Sequence, residues 1–173
     1  MKTQFKKNVF TDEGDYLKVY DKDEYFLLDK EDAHILNYRY CGIFKDSFGA
    51  RYVQLKILNK RVFLHNLLMN PSKEQVVDHI NGNPLDNRRC NLRLCSFSDN
   101  LKNKKTYKNN RLGVRGVSYN KQEGKYVARI QVDKKPIFLG YFDTIDEASK
   151  IRKEAEIKYF GEYRRKDYEE SVN

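Results

Sequence analysis

Cysteine is scarce. Cys41, Cys90 and Cys95 are an odd number with no Cys-x-x-Cys spacing. That excludes a disulfide framework and fits a reducing compartment. It also argues against structural zinc, because Cys90 and Cys95 lack two further ligands at a usable spacing. All three are expected as small, buried, apolar side chains. Long apolar runs are missing too, so no membrane partner is expected. The opening stretch, MKTQFKKNVFTDEGD, lacks the continuous apolar core of a signal peptide, and a cytoplasmic setting follows as the expectation. Acidic residues are outnumbered, 25 against 34 Lys and Arg, for a net charge of +9. Histidine is rare: only His34, His65 and His79 are present, so each needs a reason.

The 173 residues suffice for one ordinary domain or two to three small modules. The chain is polar, with a mean hydropathy of −0.86. Its 13% aromatic content nevertheless speaks against general disorder. The basic surplus is concentrated. From Phe97 to Ile130 nine Lys and Arg (Lys102, Lys104, Lys105, Lys108, Arg111, Arg115, Lys121, Lys125, Arg129) face two acids, Asp99 and Glu123. Interleaved with Asn, Tyr and Gly, they read as a footprint for phosphates rather than a solvated surface alone.

The pattern predicts an α+β protein of several small modules. Residues 1–13 read as a loose basic tail. Short strand-like runs follow (YLKVY, YFLL, RYVQLKIL, RVFL), with Asn59–Lys60 as a hairpin turn and EDAHILNY as a short helix. Residues 1–61 thus form a mixed α/β lead-in. HNLLMN is a short helix ended near Pro71. VVDHI, the turn-rich NGNPLDN, CNLRLC and the polar SFSDNLKNKK then read as strand, turn, strand and helix, a ββα unit over residues 62–103. Residues 104–112 are a basic linker, and 113–165 a third module before a tail at 166–173. In KYVARIQV, Tyr126, Ala128, Ile130 and Val132 alternate with Lys125, Val127, Arg129 and Gln131, as in a sheet covered on one side. Thr144 and Glu147 spell a capping box. Ile145, Ala148, Ile151, Ala155 and Tyr159 recur near helical spacing, and Gly161 is placed for a left-handed cap. This predicts a three-stranded antiparallel sheet packed on one helix, its other face free.

The ββα unit carries residues suited to phosphodiester hydrolysis. That reaction needs an activated water, an electrophile on the phosphate oxygens and help for the leaving oxygen. His79 can supply the first, since an imidazole titrates near neutrality. Asp78 and Asn100 offer oxygen ligands only, which suits Mg2+ (or Mn2+) better than zinc. Asp78 and His79 are adjacent on a strand, so they point to opposite faces unless the backbone bends. Asn91 can accept from the imidazole or brace the turn. His34 is read as structural. For His65, packing beneath the site ranks ahead of a phosphate contact.

Residues 62–103, VFLHNLLMN…VVDHINGNPLDNRRCNLRLCSFSDNLKN, resemble the HNH nucleases of phage intron and free-standing homing endonucleases. The resemblance implies a ββα-metal fold and DNA hydrolysis, with Asp78 and Asn100 on the metal, His79 as general base and Asn91 orienting it. Residues 113–163 resemble the Apetala-type DNA-binding domain of ethylene response factors. This implies that the free sheet face enters the DNA major groove through Arg115, Ser118, Asn120, Arg129, Gln131 and Phe138. Ser118, Asn120 and Gln131 stand where the plant proteins carry Arg, so base specificity does not transfer.

The expectation is a metal-dependent DNA endonuclease that is monomeric and nicks one strand of double-stranded DNA. Lys102, Lys104, Lys105, Lys108 and Arg111 would track phosphates between the cutting and docking modules. A DNA-binding regulator without nuclease activity is the first alternative, opposed by the intact Asp78, His79 and Asn100. A structure-specific or RNA-directed nuclease is the second, opposed by a basic sheet face expected to expose few aromatics.

Overall fold

A computed structural model describes residues 7–47, 49–103 and 110–164. Lys104, Lys105 and Lys108 lie outside these residues. The chain divides into two compact units, Met1–Phe97 and Ser98–Asn173.

The first unit holds two antiparallel three-stranded sheets and a two-stranded one. Strands β1 (Val9–Asp12), β2 (Tyr16–Asp21) and β3 (Glu24–Asp29) form a meander. The expected loose tail therefore includes a strand. Asn8 ties it down, donating to the Cys41 carbonyl and accepting from the Cys41 amide, both at 2.8 Å. A 3-10 turn and helix α1 (His34–Tyr38) lead to β4 (Gly42–Lys45), β5 (Arg51–Ile57) and β6 (Lys60–Phe63). The β5–β6 turn centres on Leu58 and Asn59, both at positive φ, one residue before the expected position. Helix α2 (Leu64–Met69) precedes β7 (Gln75–His79), which pairs antiparallel with β8 (Leu92–Ser96).

One apolar core serves this unit. Val19 and Phe26 of the first sheet, Val53 of the second, Leu64 of α2, Val77 of β7 and Leu92 of β8 belong to it. The expected boundary at 61/62 falls inside β6, and the core runs across it. Burying one face of each sheet against a shared centre lets small sheets, marginal alone, stabilise each other.

Helix α3 (Phe97–Lys102) crosses the border between the units. In the second unit, β9 (Val117–Asn120), β10 (Lys125–Val132) and β11 (Lys135–Phe142) form an antiparallel sheet in the order β11-β10-β9. Helix α4 (Ile145–Phe160) starts with the capping box: the Glu147 amide donates to Thr144 Oγ1, and the Thr144 amide to Glu147 Oε2. Gly161 ends it at φ 52°, ψ −127°, so it is not the left-handed helical cap expected. The buried side chains of α4 are Ala148, Arg152, Ala155 and Phe160. Arg152, next to the expected Ile151, donates from Nε to the Arg129 carbonyl at 2.9 Å and forms an ion pair with Glu156 at 2.8 Å.

Candidate active site and nucleic-acid face

Asp78 and His79 close β7, and both are buried. The turn that follows starts at the His79 carbonyl, which accepts from the Gly82 amide at 2.8 Å. The strand is therefore still extended at both residues, and their side chains leave on opposite faces. Asp78 sits opposite Arg93 in register. Arg93 donates to Asp78 Oδ2 from Nε at 2.9 Å and from Nη2 at 2.6 Å. His79 lies edge-on to His65, ring centres 5.1 Å apart. His65 in turn stacks on Phe63 at 5.3 Å and stands 6.1 Å from Tyr52. His65 thus packs beneath His79 as well as opening α2. His34, whose Nδ1 lies 3.0 Å from the Glu31 carbonyl, opens α1.

Burial holds the His79 imidazole below its ordinary pKa, against opposing contributions from the polar Asn87 side chain and the charges of Asp78 and Asp86. At neutral pH the ring is neutral and able to take a proton. Burial, reinforced by His79, pushes His65 down to about 4.

The loop between β7 and β8 is a polar lattice. Asn91 accepts from the Asn81 amide at 3.0 Å and donates to the Asp86 carbonyl at 2.8 Å. Of the two roles weighed for Asn91, these are the bonds of a turn brace. The side chain whose influence reaches the imidazole is Asn87, fully buried, which works against the fall in the His79 pKa. Asp86 is also buried, bonded to Arg88 at 2.7 and 2.8 Å and to Asn81 at 3.0 Å. Its carboxylate is committed to the loop.

The first sheet holds this lattice from outside. The Leu27 amide donates to the Leu85 carbonyl at 2.8 Å, and the Asn87 amide to the Leu27 carbonyl at 2.9 Å. Arg89 grips Asp32 with Nε at 2.9 Å and Nη2 at 2.8 Å, while Arg88 covers the Tyr16 ring at 4.9 Å. Asn87 and Arg93 were not singled out from sequence. Aligning VVDH against NLRLC would have set Arg93 opposite Asp78. Asn87 carries no such signal, because its place depends on β3.

Asn100 lies in α3, within the second unit, while Asp78 lies in the first. Both donate only hard oxygens, the chemistry that suits a small divalent cation. Among the described residues no group of three or more His, Cys, Asp or Glu forms a metal cluster; an Asn amide falls outside that set. Cys90 is exposed, contrary to expectation, whereas Cys41 and Cys95 are buried.

Register sorts the expected DNA-facing residues. Ser118 pairs with Val127, Asn120 with Lys125, Arg129 with Phe138 and Gln131 with Pro136, which sets Ser118, Asn120, Arg129, Gln131 and Phe138 on one face. A bulge opposite Ala128 and Arg129 leaves Leu139 unpaired and bends β11 there. Phe138 and Tyr141 are exposed, with ring centres 5.2 Å apart. The expectation of few exposed aromatics is therefore corrected: hydrophobic rings exceed what the one apolar face can bury. Arg115 is engaged elsewhere, donating to the Lys102 and Leu101 carbonyls at 2.8 and 3.2 Å. Lys102 pairs with Asp99 at 2.5 Å and lies near the Phe160 and Tyr163 rings. Arg111 is exposed. No described helix is long and apolar enough to cross a membrane.

Comparison with known proteins adds a family to this geometry. The chain is 44% identical over 50 residues to "Protein 3.8" of Escherichia phage T7, a match covering 29% of this chain and 41% of that protein. No solved structure matches significantly. Residues 70–102, from the end of α2 through both strands to α3, match the family model described as HNH endonuclease, and such a domain points to nuclease activity on DNA.

Proposed function

We propose that the protein is a metal-dependent DNA endonuclease of homing type, which hydrolyses phosphodiester bonds at a preferred site and nicks one strand per binding event. The observation that carries this is His79: a buried imidazole, neutral at neutral pH, beside a buried carboxylate and inside the segment that matches the HNH endonuclease family. A general base must be unprotonated to act, and burial provides that state. His79 takes the proton of the attacking water. Asn87 holds the ring's orientation, and Asn91 keeps the turn that carries it. Asp78 and Asn100 would hold Mg2+ (or Mn2+). When bound, the ion supplies Lewis-acid help to the phosphate and to the leaving oxygen. Arg93 keeps the Asp78 carboxylate fixed on the β7–β8 pair.

The second unit is proposed to dock duplex DNA in the manner of an Apetala-type domain, through Ser118, Asn120, Arg129, Gln131 and Phe138. Residues 104–112 track phosphates between the two activities, and the protein acts as a monomer in the cytoplasm of a bacterial or phage-infected cell. The test uses supercoiled plasmid carrying phage and host DNA, incubated with wild-type protein or His79→Ala in magnesium or EDTA. Relaxed or linear product only with wild type and magnesium is the expected result. A salt-sensitive gel shift without cutting, on DNA that carries the target, would favour a DNA-binding regulator instead.

A further inference from the structure

The sheet of β4, β5 and β6 has an outer face that this chemistry does not use. Cross-strand partners share a face, so register defines its occupants: Phe44 beside Tyr52, Gln54 beside Phe63, Lys56 beside Arg61. The alternate residues Ile43, Val53, Leu55 and Ile57 join the core. The outer face is thus aromatic at one end and cationic at the other. Its aromatic end meets the candidate active site, because Phe63 stacks on His65 and His65 abuts His79. His65 is buried there, and its Nδ1 has no hydrogen-bond partner among the described residues.

The cationic end is about 13 Å away, four residues along β5 from Tyr52. Between Phe44 and that end runs an open cleft of about 710 Å³, walled by Arg39, Phe44, Lys56, Leu58 and Arg61, with no Asp or Glu among its lining residues. The Arg61 guanidinium stands 6.0 Å from the Phe44 ring centre. Leu58, on the rim, is 89% exposed and sits at φ 47° in the hairpin turn. Asn or Gly is favoured at that position, so the leucine opposes both the backbone and the solvent.

We propose that this face is a DNA track: the duplex flanking the scissile phosphate lies along it, with Lys56 and Arg61 on phosphates and Leu58 against a groove wall. Lys56 and Arg61, in a cleft with no acid among its lining residues, match a polyanion, and the distance from Tyr52 to Lys56 spans about four base steps at 3.4 Å each. An apolar side chain carried on a basic hairpin suits a DNA groove, where such residues wedge against base steps. This assignment rests on the endonuclease function proposed above and adds a second contact surface, in the cutting unit itself.

The test measures binding of the full chain to a 40-base-pair duplex in EDTA between 50 and 200 mM salt. The variants are Lys56→Glu/Arg61→Glu, the milder Lys56→Gln/Arg61→Gln, Leu58→Asn, and the charge-matched control Lys7→Glu/Lys22→Glu. All altered side chains are exposed, and thermal melting checks that each protein folds. The Glu pair should bind at least about ten-fold more weakly and reduce the slope of log K against log salt by roughly 2. The Gln pair should move the same way and the control little. Leu58→Asn should melt higher yet bind more weakly. Wild type that cuts plasmid, with Glu-pair binding and cutting unchanged, overturns the track and leaves the nuclease intact. Wild type that binds through the track but never cuts target DNA supports the track and overturns the nuclease. Preference for single-stranded RNA, lost in the Glu pair, overturns duplex DNA as the occupant.

Discussion

Two histidines in edge-to-face contact set the behaviour at the scale of single residues. His79→Ala should abolish cutting in a plasmid assay while duplex affinity stays within about two-fold, because the ring is proposed to act on water. Equal loss of binding would remove that role. Asn87→Ala should slow cutting on the order of 100-fold at unchanged affinity, since a misplaced base costs about that much; single-turnover rates under saturating protein would show it. His65 bears on stability. Its pKa is about 4 in the folded state and about 6.5 when unfolded, so the unfolded chain binds the proton more tightly. Its contribution is therefore complete above pH 6.5 and is lost as pH falls toward 4, a change of about 3 kcal/mol. Urea unfolding across that window should show the loss, and His65→Leu should reduce it, leaving the part that the lowered His79 contributes. His65 and His79 could be found by their rarity. Their contact could not, because it depends on how α2 docks against β7.

At the scale of elements, the β7–β8 loop is held by the first sheet. Asp32 is buried and meets a half-exposed Arg89, so Asp32→Ala should cost about 1–2 kcal/mol, less than breaking a fully buried pair. It should also speed hydrogen exchange at the Leu27 and Asn87 amides, which bond across that seam, while β9–β11 stays protected. Exchange unchanged at both amides would mean the seam holds without Arg89. In the second unit, Gly116 is at φ 73°, and a Cβ there would lie 2.4 Å from both the Arg129 carbonyl and Arg152 Nε. Gly116→Ala should therefore destabilise by at least about 2 kcal/mol in chemical denaturation. Most elements were legible from alternation and turn residues. Strand β1 was not, since its residues are exposed and carry no apolar alternation. Nor was Arg152, because a buried guanidinium depends on a carbonyl supplied by another strand.

At the scale of the whole molecule, net charge and two compact units frame the behaviour. With roughly six to ten phosphate contacts, affinity should drop on the order of 1,000-fold or more between 50 and 200 mM salt. A flat salt response would remove the phosphate footprint as the source of binding. The sequence by itself determined the local chemistry: Asp78 and His79 ending a strand, a turn of Asn and Gly after them, a two-faced strand at 125–132 and the capping box at Thr144. These follow from nearest-neighbour geometry, periods of two and of about four residues, which any chain of this composition obeys. Only the tertiary structure decided that Asn87 rather than Asn91 meets the imidazole, that Arg93 holds Asp78, and that the lead-in strands share one core with the cutting segment. Those outcomes depend on contacts between residues distant in the chain, such as Leu27 with Asn87 and Asp32 with Arg89, and no local pattern encodes which strands will meet.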